Sequence, residues 1–168
     1  LSDMAILLTR ETLKTFRAVA LAAAILFATL PFTAFEVSAR PPAHRPLVAA
    51  ITEDFCGPWI TCGDSHGTFG PATVESVITG FEPLPNGCFY DTHTTTLTFA
   101  DASELALDIV GQLCPTEGSN FRFLGTFSVA TDGNSGRFTG ATGAGSVLAF
   151  RENGPIHGLL IGRISLAP

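Results

Sequence analysis

The chain has 168 residues, with 9 Lys and Arg against 15 Asp and Glu and a formal net charge of −6. Past residue 39 the balance is six arginines, no lysine and twelve carboxylates. Without a basic patch the phosphate-neutralising contacts that drive nucleic-acid binding are missing, and anionic membrane surfaces are disfavoured for the same reason.

Arg10, Lys14 and Arg17 precede an apolar run, Ala18–Phe35, which is followed by Val37-Ser38-Ala39. A basic start, an apolar middle and small residues at the cleavage position predict a secretory signal peptide over 1–39. A transmembrane anchor needs about 20 apolar residues, and Pro31 interrupts this run. The expectation is therefore a secreted or periplasmic protein, free of the membrane after cleavage. Residues 40–46, RPPAHRP, read as a flexible Pro-rich leader, and 47–168 as one domain. All four cysteines, Cys56, Cys62, Cys88 and Cys114, lie in the exported part. An even count in an oxidising compartment predicts two disulfides.

From residue 47 on, short runs rich in Val, Ile, Thr and Phe alternate with turn signals, and no long window keeps a helical period. The domain is predicted all-β, a closed antiparallel barrel or a sandwich. Predicted strands are 47–54, a short one between Trp59 and Phe69, 73–81, 88–99, 104–114, 121–131, 145–152 and 156–166. Two hairpins can be placed in register. Asn153-Gly154 favours a two-residue type I′ turn, which sets Phe150 opposite His157 and Leu148 opposite Leu159. A turn near Asp101 sets Leu97 opposite Leu105, His93 opposite Ile109 and Cys88 opposite Cys114. That register predicts the pairs Cys88–Cys114 and Cys56–Cys62.

Alternation along 88–99 puts Phe89, Asp91, His93, Thr95, Leu97 and Phe99 on one face and Tyr90, Thr92, Thr94, Thr96 and Thr98 on the other. The threonine face looks like a solvent face, together with Ala106, Asp108 and Gln112 across from it. Asp91 and His93 therefore point inward, at the end nearer the cystine, where they can hold a polar group or exchange a proton. A self-satisfied structural Asp–His pair is the competing reading. No third metal ligand stands near, so neither metal nor cofactor is expected. Gly63-Asp64-Ser65-His66-Gly67 matches the nucleophile-elbow spacing but lacks the helix that must follow, and reads as a turn. The glycines from Gly136 to Gly145 have no Lys and no helix after them, which excludes a phosphate loop. Trp59 in the small cystine loop would stack over a guest or cap the core.

The segment from Asn134 to Gly143 resembles the Gly-x-Gly-x-Phe-x-Gly-Ala-x-Gly stretch of the allene oxide cyclase and dirigent-protein barrels. Gly136, Phe138, Gly140, Ala141 and Gly143 match, and Asn134 replaces the first glycine as the next-best residue for a left-handed backbone. The match covers about ten residues. It implies an eight-stranded antiparallel barrel with an apolar cavity, homo-oligomers, and in some members cofactor-free cyclisation or coupling. The family's active residues lie outside the segment, so none carries over.

The leading functional expectation is a barrel that binds a small hydrophobic molecule, with Phe89, Leu107, Ile109, Phe123, Phe127, Phe150, His157 and Arg163 as candidate ligand contacts. Arg163 inside would need a carboxylate such as Asp91 or Glu75, and a place at the surface is the alternative for it and for His157. The second expectation is a cofactor-free cyclase or isomerase with His93 as acid or base, oriented by Asp91. The third is a solidly packed structural or surface-interaction barrel.

Overall fold

A computed structural model describes residues 43–167, so the predicted signal peptide lies outside the described residues. Eight strands follow one another: β1 (Ala43–Gly57), β2 (Ile60–Gly67), β3 (Gly70–Pro83), β4 (Phe89–Phe99), β5 (Glu104–Pro115), β6 (Phe121–Val129), β7 (Thr142–Arg151) and β8 (Ile156–Leu166). Each pairs antiparallel with the next, and β8 returns to β1 to close the barrel. Closure pairs every strand on both sides and leaves no sheet edge.

The two registers hold, with Leu97 opposite Leu105, His93 opposite Ile109, and Phe150 opposite His157. Cys88–Cys114 and Cys56–Cys62 are both bonded, with Cα atoms 4.3 and 5.8 Å apart. Two disulfides suit an extracellular or otherwise oxidising compartment.

Several local expectations are corrected. The first strand begins at Ala43, so residues 43–46 of the predicted leader pair with β8. Pro46 is tolerated there because a strand position whose N–H makes no ladder bond can hold proline. Gly63–Gly67 is strand rather than turn, with Ser65 buried and facing inward. The β7–β8 connection is a four-residue loop, 152–155. Only Asn153 in it has a left-handed backbone (φ 53°), and its N–H donates to Asn120 Oδ1. The pairing survives because lengthening the loop symmetrically leaves the facing residues unchanged.

Asn134 does not adopt the left-handed conformation expected of it. Its side chain clamps the chain instead: Oδ1 accepts from Ala106 N–H at 3.0 Å and Nδ2 donates to Ala130 O at 2.6 Å. This clamp folds the β6–β7 connection over the outer side of β5. Ala106, expected at the solvent face, is buried beneath it.

The same connection carries a single 3-10 turn, Gly136–Phe138, that drives Phe138 into the end of the barrel, where it is fully buried. Gly136 and Gly140, on either side of Phe138, have φ of 58° and 68°, a conformation that side-chain-bearing residues rarely adopt. Phe138 packs on Phe69 and Phe99, with ring centroids 5.4 and 5.1 Å away, and the Arg137 guanidinium lies 4.6 Å over the Phe99 ring. Above this aromatic floor the interior is filled by Leu47, Leu97, Leu105, Leu107, Leu160 and Ile164, each at most 1% exposed. Phe127 joins them by lying against Gly145 and Gly162; a Cβ there would stand 2.5 and 2.6 Å from its ring.

Candidate functional site

Packing loosens toward the opposite end, nearer the cystines. A cavity of about 90 Å³ opens there inside the barrel, toward the rim at Phe55 and Phe121. Its walls differ in chemistry because the inward positions of the strands differ. From β1 to β4 come all the polar side chains, Glu53, Thr61, Ser76, Asp91, His93 and Thr95, interspersed with Ile51, Phe55 and Ile78. From β5 to β8 come Ile109, Leu113, Phe123, Val147, Ala149, Ile156 and Leu160. The cavity thus has a polar side and an apolar side.

The polar side carries two hydrogen-bonded groups, one around Ser76 and one at Asp91 and His93. The Ser76 hydroxyl donates to Glu53 Oε1 at 2.7 Å and shares a hydrogen bond with Thr95 Oγ1 at 2.8 Å. Thr61 lines the same wall, and its hydroxyl favours the Glu53 anion. Asp91 Oδ1 stands 3.2 Å from His93 Nδ1. A carboxylate acceptor assigns the proton to Nδ1, which leaves Nε2 as the ring's other hydrogen-bonding atom. The His93 ring leans on Phe123, 5.6 Å between centroids. Phe123 itself rests on Gly111 and Gly125, the two positions in β5 and β6 that lack a side chain to displace it.

Burial pushes the Glu53 carboxyl above its ordinary value, against the opposing effects of the Ser76 and Thr61 hydroxyls and of a protonated His93. Among the described residues no buried side-chain nitrogen or oxygen is left without a partner. The polar wall is therefore held in place before any guest arrives.

Of the residues singled out from the sequence, Asp91, His93, Ile109 and Phe123 line the cavity together. Leu107 and Phe127 belong to the packed core beneath it. Phe89 stands at the rim, stacked on Phe81 at 4.4 Å, with Trp59 6.2 Å beyond. Trp59 is 59% exposed with φ of 64° and caps no core.

Phe150, His157 and Arg163 are exposed on the outer surface, because the inward set of β8 is Ile156, Gly158, Leu160, Gly162 and Ile164. Arg163 consequently takes no partner from Asp91, and Glu75 is itself exposed on the outside. Leu124, Leu148 and Ile161 also face outward, at 68%, 50% and 52% exposure.

Glu53 was not among the sequence candidates, although Leu47, Ala49, Ile51, Glu53 and Phe55 alternate inward just as Phe89 to Phe99 do. Among the described residues, no three His, Cys, Asp or Glu are grouped to hold a metal ion. This chain matches no protein-family model, no curated protein and no solved structure.

Proposed function

We propose that this protein is an exported barrel that binds a small hydrophobic molecule in the cavity between the Phe123 wall and the Glu53 wall. The carrying observation is the cavity itself, preformed and two-sided, with apolar groups on one flank and hydrogen-bonding groups on the other. A dry cavity of roughly 150 Å³ takes benzene, so the 90 Å³ here suits the slim end of a guest, with the remainder in the mouth. The likeness of the Asn134–Gly143 segment to the allene oxide cyclase and dirigent barrels supports the same reading. Export is supported by the two disulfides and the signal-like start.

Native mass spectrometry of the disulfide-bonded protein secreted by its own host tests this reading. A bound small-molecule mass is expected, and Val147→Trp, which fills the cavity, should remove it. A bare protein that also takes up nothing from a panel of small hydrophobic compounds would leave a packed structural barrel.

The Asp91–His93 pair beside a carboxyl of raised pKa favours a second reading, a cofactor-free cyclase or isomerase with His93 moving the proton. In that case His93→Ala abolishes turnover while a bound guest is retained.

A further inference from the structure

We infer that the guest of this cavity is a small amine, held as its ammonium ion against Glu53 and His93 with its hydrocarbon part on Phe123 and Leu160. The inference rests on the binding reading above and names the chemistry of the guest.

Glu53 brings four lone-pair positions, of which the Ser76 hydroxyl occupies one. Asp91 fixes the His93 tautomer, so the neutral ring presents Nε2 as a lone pair. The open positions on this wall are thus mainly acceptors.

Charge points the same way. Two carboxylates, Glu53 and Asp91, line the cavity, and His93 is the only lining residue able to carry a positive charge. No arginine lines it, and the exported part has no lysine. A carboxylate guest would bring a further acidic group to a low-dielectric site whose one cationic candidate, His93, already faces Asp91. An alcohol supplies one donor, whereas an ammonium supplies three and neutralises the excess negative charge. Burial raises the cost of the Glu53 anion when the site is empty, and a cation beside it lowers that cost.

Size narrows the class further. The apolar flank is short, and 90 Å³ admits an ammonium group with a few carbons before the rim is reached. A polyamine is too long for this volume, and a bulky quaternary ammonium has no N–H to give the acceptors, so a monoamine with a compact tail fits best.

The test is an NMR titration of the disulfide-bonded full domain with butylammonium, 1-butanol and butyrate at neutral pH, following amides of the cavity strands. A charge-assisted hydrogen bond exceeds a neutral one by about 1.4 kcal/mol, so butylammonium should bind about tenfold more tightly than 1-butanol. Butyrate should cause no shifts. Glu53→Gln should erase the preference and leave 1-butanol binding in place. Butanol binding as tightly as the amine overturns the inference and leaves the cavity reading standing. Absence of shifts at cavity amides with all three compounds overturns both. The comparison among the three compounds needs only the unaltered protein, so it decides the matter even if Glu53→Gln does not fold.

Discussion

Ser76 reaches Glu53 across the barrel interior: the hydroxyl donates to Oε1 over 2.7 Å, although the two residues lie on β3 and β1 with β2 between them. The same oxygen is 2.8 Å from Thr95, its directly facing partner on β4. One hydroxyl thus couples three strands of the polar wall. Ser76→Ala removes it and strips one partner each from the half-buried Glu53 and the buried Thr95. A loss of about 1–3 kcal/mol is expected in urea denaturation. A change within error would mean that water replaces the hydroxyl at no cost.

Glu53 gives a pH dependence whose sign can be worked out. Its folded pKa lies above the ordinary value of 4.5, so the folded state holds the proton more tightly than the unfolded chain does. The stabilisation this provides is present below about pH 4.5 and is lost as pH rises through the higher folded value. The ionisable groups facing it across the cavity are Asp91 and His93. Melting temperatures of the native protein should therefore fall relative to Glu53→Gln between pH 4 and neutrality. Parallel curves over that range would show that Glu53 titrates normally.

The two disulfides should differ in weight. Cys88–Cys114 closes a loop with a sequence separation of 26, and Cys56–Cys62 one of 6. Loop-closure entropy assigns about 3.5 kcal/mol to the first and about 2.2 kcal/mol to the second. Replacing each pair by serine and comparing denaturation midpoints checks the order. A larger loss from the Cys56–Cys62 pair would point to native packing around the small loop in place of chain entropy.

Phe138 is fully buried against Phe69 and Phe99. Phe138→Ala should cost about 3–5 kcal/mol, the range for aromatic truncation in a core that cannot collapse. A loss below 1 kcal/mol in thermal or chemical unfolding would mean that the connection repacks and the floor closes without the ring.

Strand positions, both hairpin registers and the cystine pairs were legible because a barrel wall imposes a period of two on every strand, and two residues facing across a turn have numbers of constant sum. Along β4 the alternation is clean, since threonines fill one face. Along β8 it is not: Leu159 and Ile161 outside are as apolar as Leu160 and Ile164 inside, so periodicity alone could not assign Phe150, His157 and Arg163 to a face. Glu53 was legible and passed over; its strand alternates as plainly as β4 does. Ala106 was not legible, because its burial depends on Asn134, 28 positions away, clamping a loop over it.

The aromatic floor has a kinetic consequence. With Phe138, Phe69, Phe99 and the leucine core closing one end, and with β8 bonded to β1 along its length, the cavity is blind at its base and, among the described residues, opens at the Phe55 rim. A molecule going in must let water out past itself, and one leaving must admit water by the same route. How long an occupant stays is then governed at the doorway, while how firmly it is held is governed at depth. Trimming Phe55 to alanine widens the doorway and should quicken both arrival and departure.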